Sequence, residues 1–210
     1  MHRRYYRARD AISDSTLVEA FLVSTGVVAL AEIGDKTQLL ALVLAARYRR
    51  PLPIILGILV ATLANHALAG WVGAWVSAQI GPVAMRWILG LSFLAMAAWL
   101  LVPDKAGDLR TDAGRFGIFG STLIAFFLLE MGDKTQIATV ALAAHYDALA
   151  SVVAGTTLGM MLANVPAVLL GDVAARKLPL RLVHGLAAAL FAVLGVLILA
   201  GVGIGGNGPR

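Results

Sequence analysis

Glu32-Ile33-Gly34-Asp35-Lys36-Thr37-Gln38 is written a second time as Glu130-Met131-Gly132-Asp133-Lys134-Thr135-Gln136, and each copy sits deep inside a long apolar run. At a constant offset of 98 residues the match continues through Leu44-Ala45-Ala46 and Tyr48 onto Leu142-Ala143-Ala144 and Tyr146. Of the 17 aligned positions from Glu32 to Tyr48, 10 are identical. A shared core pattern repeats leucines and alanines. It does not repeat two carboxylates, a lysine and a glutamine in lipid, where each ionisable group is costly and marks a functional site by default. The motif is therefore a duplicated polar site.

The rest of the composition agrees. The chain has 210 residues, 60% hydrophobic and 14% charged, with a mean hydropathy of +0.84. Soluble domains carry roughly 25% charged residues, so this balance belongs in a bilayer. Cysteine is absent, which excludes disulfides and thiolate metal sites. The net charge of +5 does not indicate nucleic acid, because 15 of the 17 Lys and Arg fall in tails and loops. Basic loops beside apolar spans read as topology signals.

Six apolar segments are long enough to span, near 17–45, 52–77, 82–102, 117–144, 149–171 and 182–203. If helical, Leu17 to Glu32 rises about 22 Å and Gly117 to Glu130 about 20 Å, which puts both motifs near mid-depth. Pro166 lies within the fifth segment and is expected to kink it. The expected division is a polar basic tail (1–16), a three-helix repeat (17–102), a polar linker (103–116), a second three-helix repeat (117–203) and a glycine-rich flexible tail (204–210). The basic tail, the apolar run and Ala29-Leu30-Ala31 imitate a signal peptide. The second copy has the same run into Glu130 without such a tail, so residues 17–31 are expected to be retained. The fold class is all-α integral membrane protein: six transmembrane helices as two three-helix repeats. An odd number of spans per half inverts the second half, the plan of many secondary transporters. Nine Lys and Arg in the loops after spans one, three and five, against six on the other side, favour both termini outside.

On a continuous helix Glu32, Asp35 and Lys36 share one face, as do Glu130, Asp133 and Lys134. Facing halves would gather four carboxylates and two ammonium groups, a formal sum of minus two that one divalent cation neutralises. Gly34 and Gly132 allow close approach or local unwinding. Thr37, Gln38, Thr135 and Gln136 supply neutral oxygens. Such a set suits a hard cation: Ca²⁺, Mn²⁺ or Mg²⁺. When the cation leaves, the four acids cannot all stay ionised, so protons replace it. The bland alternative is a buried salt bridge between helices, and apolar packing does that with less desolvation. Lys36 and Lys134 fit the role of counter-ions. Asn65 and Asn164, in the matched pairs Ala64-Asn65 and Ala163-Asn164 one residue off the motif register, are candidates for ligation or support. His66, Met131, Met160 and Met161 read as packing, and Trp71, Trp75, Trp87 and Trp99 as interface anchors or packing. Glu19 reads as interfacial.

Glu-x-Gly-Asp-Lys-Thr, twice, in a six-span chain resembles the Gdt/MneA-type family of small cation transporters of bacteria, chloroplasts and the Golgi. The resemblance covers residues 17–203, and both motif copies match without a departure. It implies export of Mn²⁺, with Ca²⁺ as the other substrate, in exchange for protons, in a bacterial inner (cytoplasmic) membrane. It implicates Glu32, Asp35, Glu130 and Asp133 as cation and proton sites, supported by Lys36, Thr37, Gln38, Lys134, Thr135 and Gln136. No resident cofactor, no enzymatic activity and no nucleic-acid partner are expected; a homo-oligomer stays open. Three rivals come from other classes. A metal-dependent lipid-phosphate transferase needs further acids or cations, and beyond the motifs the spans hold only peripheral ones. An exporter of organic cations or amino acids needs a roomier aromatic or amide-rich pocket. A non-transporting assembly factor has no use for four buried acids.

Overall fold

The computed structural model describes residues 14–102, 116–170 and 180–201. Most of the amino tail, the linker and the carboxyl tail lie outside these residues. The described chain forms eight helices in order: α1 (Asp14–Glu32), α2 (Lys36–Tyr48), α3 (Pro51–Gln79), α4 (Pro82–Leu100), α5 (Gly117–Glu130), α6 (Lys134–His145), α7 (Leu149–Leu170) and α8 (Leu180–Leu199). Five of them are long and apolar enough to cross a membrane: α1, α3, α4, α7 and α8, the last over Leu182–Leu199. The shorter apolar α5 has 14 residues.

The helices begin and end where local chemistry dictates. Prolines open α3 and α4, where a missing N–H costs nothing. The polypeptide breaks between α1 and α2 and between α5 and α6, and both breaks fall on the motif. α7 continues as helix through Pro166 to Leu170. Arg86, counted with the loops above, lies inside α4.

Packing follows the duplication. α1 packs on α7 and α5 on α3, while α4 pairs with α8. The first two crossings are one crossing repeated 98 residues along the chain. An added Cβ at Gly155 would meet the Phe21 carbonyl at 2.5 Å and Ser24 at 3.0 Å, and one at Gly57 would meet the Phe119 carbonyl at 2.9 Å and Thr122 at 2.8 Å. Small residues allow this approach, which in lipid is what binds helices together, since apolar burial supplies no net drive there.

Two apolar clusters lie on either side of the motif layer. One joins α1, α4, α6, α7 and α8, with Phe93 and Phe191 (ring centroids 5.7 Å apart) at its centre. The other joins α2, α3, α5 and α7 around Leu40, Leu44, Ile58 and Phe126. At the outer edge of the first, the Tyr146 hydroxyl donates to Glu19 at 3.4 Å. Much apolar surface faces outward, including Leu22, Leu128, Leu169, Trp71 and Trp75, each more than half exposed. A water-soluble monomer rarely presents so much, whereas a lipid-facing surface does.

The crossing predicts a contrast. Gly155→Val should lower the thermal midpoint of the purified protein in detergent, at a cost of about 1–3 kcal/mol from forced separation of α1 and α7. Gly26→Ala, with nothing within 4 Å of the new Cβ, should leave it unchanged or higher. Equal midpoints for the two variants would contradict the crossing.

Candidate metal centre

The motif is a helix break. α1 stops at Glu32, Gly34 takes a left-handed conformation at φ 86°, and Asp35 caps the start of α2. The second copy does the same: Gly132 sits at φ 80°, and Asp133 occupies the cap position of α6. At positive φ a side chain is strained and glycine is not, which explains why each motif carries one there. The expectation of a continuous helix with Glu, Asp and Lys on one face is therefore corrected. Each acid pair is instead split between the end of one helix and the cap of the next.

Each break is stitched by the same bonds. The Asp35 N–H donates to the Glu32 carbonyl at 3.0 Å, and the Asp133 N–H to the Glu130 carbonyl at 3.1 Å. The Gly34 N–H donates to Gln38 Oε1 at 2.9 Å, and the Gly132 N–H to Gln136 Oε1 at 2.6 Å. Thr37 Oγ1 donates to Glu32 Oε2 at 2.7 Å, and Thr135 Oγ1 to Glu130 Oε2 at 3.0 Å. In both copies, then, Thr holds one oxygen of its Glu and Gln closes the turn through the glycine amide.

The two breaks meet. Glu32, Asp35, Glu130 and Asp133 each offer one oxygen, and the four oxygens lie within 4.8 Å of one another. All four residues are buried. Lys36 of the first motif crosses to the second and pairs with Asp133 Oδ1 at 2.7 Å. Lys134 is buried, with its ammonium 6.0 Å from the centre of the Trp99 ring. Glu32 Oε1, Glu130 Oε1 and Asp133 Oδ2 are buried and accept no hydrogen bond among the described residues. Unpaired carboxylate oxygens out of water are expensive. Their donor set is all oxygen and net negative, which suits a hard divalent cation; with bonds of about 2.4 Å, opposite ligands of such an ion lie about 4.8 Å apart.

The asparagines separate. Asn65 supports the second motif: its Oδ1 accepts from Gln136 Nε2 at 3.5 Å and its Nδ2 donates to the Phe127 carbonyl at 3.0 Å. Asn164 turns to its own helix, donating to the Met160 carbonyl at 3.1 Å. The first motif's Gln38 instead donates to the Ala163 carbonyl at 3.0 Å. Gln38 and Gln136 thus reach positions 163 and 65, which keeps the offset of 98 and corrects the one-residue shift that paired the two asparagines. In that register Asn164 corresponds to His66, a buried side chain with neither ring nitrogen bonded among the described residues. Sequence reasoning missed His184, whose Nε2 lies 2.9 Å from the Ile33 carbonyl. A carbonyl only accepts, so Nε2 is the donor.

Comparison with known proteins identifies relatives by sequence. The family model described as "Divalent cation/proton antiporter GDT1" matches residues 20–108 and 118–203. A protein of Vibrio cholerae serotype O1 named "Putative manganese exporter" is 53% identical over 179 residues, covering 85% of this chain and 89% of its own. A GDT1-like protein of Synechocystis is 29% identical over 201 residues, covering 85% of this chain and 97% of its own. GDT1-like protein 3 of Oryza sativa subsp. indica is 29% identical over 202 residues, covering 83% and 71%. No solved structure matches. With both halves matched and the doubled motif intact, the chain belongs to the GDT1 family of divalent cation/proton antiporters.

Proposed function

We propose that the protein exports Mn²⁺, with Ca²⁺ as the alternative cargo, in exchange for protons, through one site built from both motifs. The observation that carries this reading is the convergence of four buried acids, three of them with an oxygen that accepts no hydrogen bond among the described residues. Glu32, Asp35, Glu130 and Asp133 are the ligands of the transported ion. Thr37 and Thr135 orient the glutamates, Gln38 and Gln136 close the turns at Gly34 and Gly132, and Asn65 steadies Gln136. Lys36 and Lys134 are the counter-ions, and Asn164 has no direct part. The name carried by the Vibrio relative favours manganese.

The architecture proposed is six spans in the inner membrane, in two inverted repeats (17–102 and 117–203). α1 with α2 and α5 with α6 are the two broken spans. Support comes from contacts that recur at the offset of 98, including Phe93 against Phe191, which are each other's equivalents. Contact between equivalent residues is what a twofold axis between the halves produces.

Charge decides the coupling. Four carboxylates, two ammonium groups and M²⁺ sum to zero, and the empty site is left at minus two. Crossing with two bare charges is the costly route, so protons take the place of the metal. Neutrality then calls for about two protons per ion if all four acids take part. In vesicles carrying a pH dye, added Mn²⁺ or Ca²⁺ should drive protons opposite to the metal. Metal uptake that is electrogenic and indifferent to the pH gradient would rule out exchange.

Glu32→Gln and Glu130→Gln should each lower metal flux by about tenfold or more, in protein that still elutes as a folded species. The amide keeps the shape and removes one charge from the set. Wild-type flux in both single variants would rule out the shared site.

A further inference from the structure

The equivalence of the two halves fails in the packing of one helix pair. α4 and α8 are equivalents and pack on each other, yet α8 leans on α1 whereas α4 leans on α6. Both contacts lie on the same side of the acids, because the Tyr146–Glu19 bond joins the end of α6 to the first half of α1. The opposite apolar cluster repeats the landing surface, with Leu40, Leu44 and Ile54 standing where Ala138, Leu142 and Val152 stand in the first. Among the described residues it contains nothing from α4 or α8.

Side chains register the difference. Leu30 packs against the cluster that holds α8, while its equivalent Leu128 is 63% exposed. Ile33 is half-buried and its carbonyl accepts from His184, while its equivalent Met131 is 55% exposed. His184 itself corresponds to Arg86 at the offset of 98. Arg86 lies at the carboxyl end of α8, where an added Cβ on Gly201 would come within 3.4 Å of its Nη1. A cation there complements the helix dipole.

We propose that α4 and α8 move as one element between two equivalent seats, α1/α6 and α5/α2, with His184 and Arg86 as the residues that hold it in each. In the seat seen here His184 binds the Ile33 carbonyl. In the other, Arg86 leaves the end of α8 for the Met131 carbonyl, covering Leu128. Each seat shields the acids from one side of the membrane, which deepens the transport reading above and rests on it. Both latches act on a carbonyl beside a glutamate of the site, so they position the motif and do not touch the ion.

The absence of native cysteine makes the test direct. Ile33→Cys with His184→Cys reports the seat seen here, and Met131→Cys with Arg86→Cys reports the other. In vesicles both pairs should form disulfides, and each should stop Mn²⁺ flux reversibly on reduction. A 131/86 pair that never crosslinks where 33/184 does would overturn the proposal. Cysteine beside Glu32 can disturb folding, so nitroxide pairs at Leu22/Leu186 and the equivalent Gly120/Ile88 give a second measurement. Each pair should show two distances, with the shorter dominant for Leu22/Leu186; a single distance in both would overturn it. In that background His184→Ala should cut the short-distance population at least threefold, and His184→Gln, which keeps an N–H donor, should recover part of it. No change with His184→Ala would remove His184 as a latch. Two seats without metal flux in the wild type would instead keep this proposal and sink the transport reading.

Discussion

Four carboxylates buried within 4.8 Å of one another are the constraint on which the rest of this structure depends. An unpaired charge away from water is among the most expensive things a fold can contain. Each local oddity of the motif answers part of that cost. The helix breaks set each Glu at the end of one helix and each Asp at the cap of the next. The threonines take one oxygen of each glutamate, and Lys36 takes one oxygen of Asp133 from across the interface. What stays unanswered among the described residues is an oxygen each on Glu32, Glu130 and Asp133, which the proposed transport reading assigns to a cation or a proton.

The same constraint governs the scaffold. The broken segments must be held against unbroken helices close enough for side-chain amides to reach, and Gly57 and Gly155 permit that approach. Gln38 and Gln136 then tie each break to α7 and α3. The polar layer is thereby fixed between two apolar clusters, one of which holds α4 and α8 and one of which does not. A transporter must have such an imbalance in any single conformation, since a site open to both sides would leak.

Much of this was legible in the sequence, for identifiable reasons. The offset of 98 survives because the two halves make the same contacts, and residues such as Phe21 and Phe119 or Gly57 and Gly155 carry it. The acids announced themselves because nothing else justifies charge in an apolar run. Helical spacing misread the motif's conformation: Glu-x-x-Asp-Lys fits one helix face, the glycines left local unwinding open, and positive φ at Gly34 and Gly132 decides for the break. The asparagines misled because they invite pairing by type. Register is shown by where the two glutamines reach, and they pair Asn65 with Ala163, not with Asn164. His184 was invisible because its partner is a backbone carbonyl 151 residues away, which leaves no trace in side-chain pattern. The crossing of Lys36 to Asp133 was equally hidden, since near-identical motifs do not show which copy reaches across to the other.

The central claim is that two motifs make one site. Counting bound Mn²⁺ tests it most directly: purified protein titrated with Mn²⁺, with the free ion read by electron paramagnetic resonance, yields the number of ions held per chain. One tightly held ion per chain is the result this account predicts. Two equivalent ions per chain, one for each motif, would contradict it.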